Sequence, residues 1–150
     1  MREAQDAFIA QHLSEARFTE YLADPQRVLF VAEEDGVAIG YTMVVLGEPH
    51  DADAAAAIRL RPTAELSKCY VLPGHHGAGI STLLMAASVD AAREAGAVGM
   101  WLGVNEENQR AQRFYAKSGF ERVGHKRFLV GERWEDDYVF EQSIAADSAE

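Results

Sequence analysis

The stretch that decides the fold reads Tyr-Val-Leu-Pro-Gly-His-His-Gly-Ala-Gly-Ile-Ser-Thr-Leu-Leu and covers residues 70–84. An apolar β-type run ends at a proline, passes through glycines and continues in an apolar helical pattern. Gly77 and Gly79 can adopt positive φ angles and let a ligand approach the backbone closely. The helix predicted to begin near Ile80 directs unsatisfied N–H groups and its positive dipole end at the loop. This junction therefore predicts a site for a pyrophosphate.

The residues on either side of the junction predict a βαβ unit. Ala64–Leu72 alternates as a strand does, and Thr82–Ala95 has a helical stripe that ends at Gly96, a residue suited to a left-handed cap. The nearly continuous apolar run Val98–Val104 is typical of a strand that is buried on both faces. A strand, a crossover helix and a second strand predict parallel pairing between the two strands.

The other elements predicted along the chain are mostly antiparallel strands. Residues 47–57 are acidic and alanine-rich without a strand pattern, and they are predicted to form a loop. Asp35-Gly36 predicts a tight hairpin turn, and Asn108 predicts the N-cap of a helix that stops at Gly119. The remaining predicted elements are one or two helices in Gln5–Leu22 and strands at Val28–Glu33, Val37–Leu46, Phe120–Val130 and Trp134–Phe140.

The amino-acid composition and net charge argue against some classes of function. The 150 residues are 48% hydrophobic and predict one domain over residues 1–144, followed by a tail at 145–150 with no reason to be ordered. No apolar run of membrane-spanning length is present, and the acidic N-terminus and single cysteine favour a cytoplasmic protein. A net charge of −10 argues against sequence-independent binding to nucleic acid, and no membrane partner is expected.

Two separate blocks within residues 65–120 carry a family signature. In the first block His76, Gly79 and Ser81 occupy its three positions, of which Gly79 alone matches strictly. Tyr70-Val71-Leu72-Pro73 and Leu83-Leu84 flank it as expected. The second block, with its spacing intact, consists of Asn108, Ala111, Phe114, Tyr115, Gly119 and Phe120. Together they resemble the GNAT-type N-acetyltransferases.

The resemblance implies an α/β fold with a mixed, mostly antiparallel sheet. Its centre would be a βαβ unit that binds acetyl-CoA, with a V-shaped splay between the strands Ala64–Leu72 and Gly99–Val104. By similarity, the backbone N–H groups of His76, Gly77, Ala78, Gly79, Ile80 and Ser81 would bind the pyrophosphate. The pantetheine arm would pair with the strand backbone at Cys69, Tyr70 and Val71, and Asn108 would hydrogen-bond the cofactor arm.

The resemblance also implies an activity, namely direct transfer of an acetyl group to a primary amine, most naturally that of a small molecule, within a ternary complex. Tyr115 occupies the position of the general acid that protonates the leaving thiolate, and the Val71 N–H would meet the carbonyl oxygen. Glu65 is the candidate base, on the strand that lines the acceptor cleft in relatives. A strand carboxylate that is solvated or paired is the alternative reading of Glu65.

Other interpretations remain open at this point. The chain could be a non-catalytic acyl-CoA-binding or regulatory module, or it could acetylate a protein N-terminus or lysine. A Rossmann dinucleotide site lacks its three-glycine pattern here. Covalent transfer through Cys69 has no basic residue to activate the thiol, and His75 and His76 lack metal-ligand spacing, so no metal is expected.

Two aromatic positions complete the sequence-based expectations. Trp101 lies in the run predicted to be a buried strand and is expected in the core. The late hairpin from His125 to Tyr138 contains Trp134 and three consecutive acids, Glu135-Asp136-Asp137. The resemblance implies that this hairpin lies where members of the family often build part of the acceptor pocket or a homodimer contact, and its acids are candidates for attracting a cationic amine.

Overall fold

The computed structural model describes residues 23–72, 74 and 79–145. The predicted N-terminal helical segment Gln5–Leu22, most of the glycine loop and the last five residues lie outside these described residues. Backbone contacts divide the described residues into two compact units. The first unit holds residues 23–45 and Leu66–Ala91, and the second holds Leu46–Glu65 and residues 92–145.

The described elements are β1 (Arg27–Glu34), β2 (Val37–Leu46), α1 (Ala52–Ala57), β3 (Thr63–Val71), α2 (Ile80–Glu94), β4 (Gly99–Asn105), α3 (Gln109–Lys117), β5 (Glu121–Val130) and β6 (Arg133–Ser143). The strands form one mixed sheet, in the order β1-β2-β3-β4-β6-β5. Strand β3 pairs with β4 in parallel, whereas β1 with β2, β4 with β6 and β5 with β6 are antiparallel. The predicted mixed, mostly antiparallel α/β sheet is therefore confirmed.

The first unit packs on both faces of its strands. Asp35 and Gly36 adopt φ angles of 54° and 80° and close the β1–β2 hairpin as the Asp-Gly pair predicts. On one face Tyr41 and Met43 form a cluster with apolar side chains of β1 and β3. On the opposite face of β2, the hydroxyl oxygens of Thr42 and of Ser88 on α2 lie 2.8 Å apart. The hydrogen bond between them satisfies two buried polar groups.

The prediction of a loop over residues 47–57 is wrong in its second half, because Ala52–Ala57 is a helix. The Asp51 side chain accepts a hydrogen bond of 2.9 Å from the Ala54 N–H and caps the first turn. Alanine has the highest helix propensity, and its small side chain permits close packing on the sheet. Ala54 is fully buried with Trp101 and Val139 in the core of the second unit.

The predicted βαβ unit is confirmed, with its helix displaced by a residue or two at each end. Helix α2 runs from Ile80 to Glu94, and Gly96 has the left-handed φ of 99° expected of its cap. The parallel register joins Thr63 to Gly99 and ends with Glu65 opposite Trp101, while β3 continues to Val71. Beyond Glu65, β3 belongs to the first unit and β4 to the second, and the splay between them stays a prediction.

The second unit buries the middle of β4, as its apolar run predicts. Trp101 is 2% exposed, so its expected place in the core is confirmed. Trp134, by contrast, lies near the turn of the β5–β6 hairpin and is 55% exposed. Within the described part of the chain, no helix combines the length and the apolar character that crossing a membrane requires.

Candidate active site

The start of α2, in the first unit, supplies backbone donors. Gly79 has a φ of 76°, so the chain enters the helix through a conformation that favours glycine. The Leu83 N–H bonds the Gly79 carbonyl oxygen at 3.1 Å, which leaves the N–H groups of Ile80 and Ser81 in the turn before it without helical partners. No acidic residue lies in this turn. His76, Gly77 and Ala78 lie outside the described residues.

The end of β3, also in the first unit, carries Cys69, Tyr70 and Val71. Gly40 of β2 permits close approach here, since a Cβ at that position would come within 2.8 Å of the Tyr70 carbonyl oxygen. The Leu72 N–H bonds the carbonyl oxygen of Ile39 at 2.7 Å. This end of β3 is therefore held firmly against β2, with the Val71 side chain buried.

Glu65 lies in the second unit, at the last pair of the parallel register. Its partner in β4 is Trp101, and paired residues of neighbouring strands project from the same face of a sheet. The Glu65 side chain is half-buried. The indole Nε1 of Trp101 is buried without a hydrogen-bond partner among the described residues. A buried donor of this kind is rare and marks a place where water or a ligand group completes the site.

Helix α3 of the second unit begins as its sequence predicts. The Asn108 Oδ1 accepts a hydrogen bond of 3.1 Å from the Ala111 N–H, so Asn108 is the N-cap. Because the amide oxygen accepts this bond, the Nδ2 group is the part of the Asn108 side chain that can donate a hydrogen bond. At the other end, Gly119 has a φ of 104° and terminates the helix.

Tyr115 is half-buried on α3, and aromatic neighbours orient its ring. The ring of Phe114 lies at a centroid distance of 5.5 Å with planes tilted by 60°, and the ring of Phe120 lies at 6.1 Å, nearly edge-on at 73°. Such tilted and edge-on pairs are favourable arrangements for aromatic rings. The two ring contacts therefore fix the orientation of the Tyr115 side chain on α3.

The acids of the late hairpin do not form a bare acidic surface. Glu135 lies 3.1 Å from Arg133, and Asp136 lies 3.5 Å from Arg127. Asp137 lies 3.8 Å from Lys126 and is the most sheltered of the three. Burial raises the pKa of Asp137 above its usual value of 3.8, and the nearby carboxylates raise it further, although the Lys126 ammonium opposes the shift.

The predicted site residues thus fall into two groups. The first unit holds the cofactor-binding candidates Cys69, Tyr70, Val71, Gly79, Ile80 and Ser81. The second unit holds Asn108 and both candidate catalytic residues, Glu65 and Tyr115. No local sequence pattern indicated that a buried Trp101 N–H lies opposite Glu65, because that neighbour depends on strand register.

Comparison with known proteins identifies the family. The model of the Acetyltransferase (GNAT) family matches residues 1–120. The chain belongs to this family. An uncharacterized N-acetyltransferase of Mycobacterium tuberculosis is 44% identical over 138 residues, which are 92% of this chain and 81% of the relative. The family and this relative establish that the protein is an acyltransferase.

Other members of the GNAT family link the fold to a donor and to acceptors. A streptothricin acetyltransferase of Streptomyces lavendulae is 35% identical over 98 residues, which are 61% of this chain and 52% of that protein. The structure of an aminoglycoside N-acetyltransferase in complex with CoA has a TM-score of 0.70 and 22% identity, and covers 87% of this chain and 91% of the other. The latter likeness concerns the fold.

Proposed function

We propose that this acetyltransferase transfers the acetyl group of acetyl-CoA directly to a primary amine of a small molecule within a ternary complex. The family match over residues 1–120 carries the proposal, because it spans the β3–α2 junction together with Glu65 and Tyr115. The named acceptors of related enzymes, streptothricin and aminoglycosides, support a small-molecule amine.

The cofactor would be held by residues of the β3–α2 junction. An anion is favoured at the start of α2, where N–H groups have no helical partner and no acid lies in the first turn. The N–H groups from His76 to Ser81 would bind the pyrophosphate, and the backbone of Cys69–Val71 would pair with the pantetheine arm. Asn108 would donate its Nδ2 group to that arm. Acetyl-CoA, when bound, supplies an activated thioester.

Glu65 would remove a proton from the ammonium form of the acceptor, directly or through water. Its half-buried position at the last pair of the parallel register supports this role, because a base must be positioned near the proton that it removes. The unpartnered Trp101 N–H opposite Glu65 supports a polar group or water at the same place.

Tyr115 would donate a proton to the leaving thiolate, while the Val71 N–H would stabilise the developing negative charge on the carbonyl oxygen. The ring contacts with Phe114 and Phe120 support the acid role, because they hold the phenol in one orientation. Transfer of a proton at a fixed distance needs such an oriented group.

The decisive experiment measures CoA release from acetyl-CoA with a panel of small amines, amino acids and short peptides. Tyr115→Phe is expected to lower kcat by roughly 10²–10⁴ and to leave CoA binding by calorimetry unchanged. The ring packing against Phe114 and Phe120 is retained in this variant, and its melting temperature, measured alongside, reports any loss of stability. An unchanged kcat would show that Tyr115 is not the acid.

The panel also separates the alternatives. Binding of CoA without release in the presence of any amine would identify a non-catalytic acyl-CoA-binding module. Release with peptides but with none of the small amines would favour acetylation of a protein N-terminus or lysine. Release with a small amine in a sequential kinetic pattern supports direct transfer, whereas ping-pong kinetics would contradict it.

A further inference from the structure

The second unit contains a groove that runs along helix α3. Ala111 and Ser118 of this helix do not line it. Its volume is about 390 Å³, within the usual range for small-molecule sites of roughly 300–1,000 Å³. Four of the residues that line it have the spacing i, i+3, i+4 and i+7, so they share one face of the helix. The lining consists of Gln109, Gln112, Arg113, Ala116, Arg122 and Phe140.

The hairpin contributes Arg122 to this groove in a defined orientation. Arg122 is the cross-strand partner of Phe140, so both side chains project from the same face of the hairpin. Tyr138, two residues before Phe140 on β6, belongs to that face as well. The guanidinium carbon of Arg122 lies 4.3 Å from the centre of the Tyr138 ring. This cation–π contact holds the arginine while its N–H donors remain available.

The positive charges that line the groove are not neutralised by acidic residues within it. Neither Arg113 nor Arg122 forms an ion pair with a described residue, and no acid lines the groove. Other arginines of this acidic chain do have a carboxylate within 3.5 Å, namely Arg27, Arg61, Arg127 and Arg133. The groove therefore brings together two exposed guanidinium groups without a carboxylate partner in a protein with a net charge of −10.

We propose that this groove binds a small organic anion that carries carboxylate or phosphate groups beside an apolar part. Guanidinium groups match both anions through paired N–H donors. Phe140, which is 6% exposed, and Ala116 supply the apolar floor. The Gln112 Nε2 donates to the carbonyl oxygens of Asn105 and Glu106, at 3.2 and 2.9 Å, and this anchors its side chain.

The site is distinct from the groups assigned to acetyl transfer, and its existence does not depend on that assignment. The Gln112 anchor joins the groove to the end of β4, just before the Asn108 cap. An anion in the groove would therefore stabilise the segment that carries Asn108 and Tyr115.

The test uses citrate and inorganic phosphate as probes, with sodium chloride at matched ionic strength as the control. A probe that binds the folded protein is expected to raise the melting temperature by on the order of 3–6 °C at about ten times its dissociation constant. Arg113→Gln and Arg122→Gln should each remove most of the rise. Arg110→Gln removes an exposed charge of the same helix outside the groove and should retain it.

Comparison of the two probes shows whether the groove prefers carboxylates or phosphate, and a shift of the Gln112 side-chain amide in NMR spectra locates the binding. An equal rise in parent and both groove variants, or no rise with either probe, would overturn the proposal. Loss of the citrate effect at saturating CoA would also overturn it, because the groove would then belong to the cofactor site. None of these measurements requires an active acetyltransferase.

Discussion

Glu141 offers a sharp test of how the second unit is held together. Its side chain is 5% exposed, yet it carries a carboxylate near the end of β6. The Arg59 N–H donates to both oxygens, at 3.0 and 3.1 Å, and the Leu60 N–H donates to Oε2 at 2.9 Å. These two donors follow α1, so the carboxylate fixes the chain where that helix ends.

Glu141→Gln preserves the size of the side chain and removes one of its two acceptors. The amide oxygen can accept from one N–H, but the amide NH₂ then faces the other donor. A hydrogen bond to a charged group contributes about 1.5–3 kcal/mol, and a buried donor left unsatisfied costs about 1–3 kcal/mol. We therefore expect the free energy of unfolding to fall by about 2–4 kcal/mol, and the melting temperature by on the order of 5–15 °C.

The assay is urea unfolding, with Glu121→Gln as the matched control. Glu121 is the exposed cross-strand partner of Glu141 and is expected to change the free energy by no more than about 0.5 kcal/mol. If the free energy of unfolding depends on urea concentration with the same slope in both variants, their denatured states are the same. If both variants lost the same free energy, the account of the buried carboxylate would be refuted.

Two further predictions concern acids of the second unit. Glu65→Gln should abolish the acidic limb of the pH profile of kcat/KM and lower its plateau by roughly 10²-fold or more, measured as CoA release; an unaltered profile would exclude Glu65 as the base. The pKa of Asp137 is raised in the folded protein, so the folded state holds the proton of this side chain more tightly than the unfolded chain does. The free energy of unfolding therefore decreases as the pH rises from 3.8, the ordinary pKa, through the raised pKa of the folded state. Asp137→Asn should remove this decrease, which urea unfolding at about pH 4 and about pH 7 would detect as a pH-dependent difference from the parent; a constant difference would contradict the reasoning.

The sequence predicts those parts of the fold that depend on neighbours along the chain. The Asp35-Gly36 turn, the Asn108 cap and the Gly96 stop were each confirmed, because a backbone conformation or a capping bond needs only a few consecutive residues. The βαβ order followed from apolar patterns of the same local kind. Tyr115 and Asn108 could be located on α3 for this reason, although their roles stay predictions.

Helix α1 shows where local patterns mislead. A short run of alanines between acids resembles a loop, since six residues are too few to form a stable helix alone. The helix forms because Ala54 and Ile58 bury against Trp101 and Val139, which lie far along the chain. The sequence shows the composition of such a segment but not the surface against which the segment packs.

The sequence by itself determined the family, the order of the central elements and the residue types available for acetyl transfer. Only the tertiary structure decided which distant groups meet: the Glu141 carboxylate with the Arg59 N–H, 82 residues away, and Arg113 with Arg122 at one groove. The physical reason is that strand register and helix docking bring such groups together. Their hydrogen bonds and charges act over a few ångströms of space, whatever their separation along the chain.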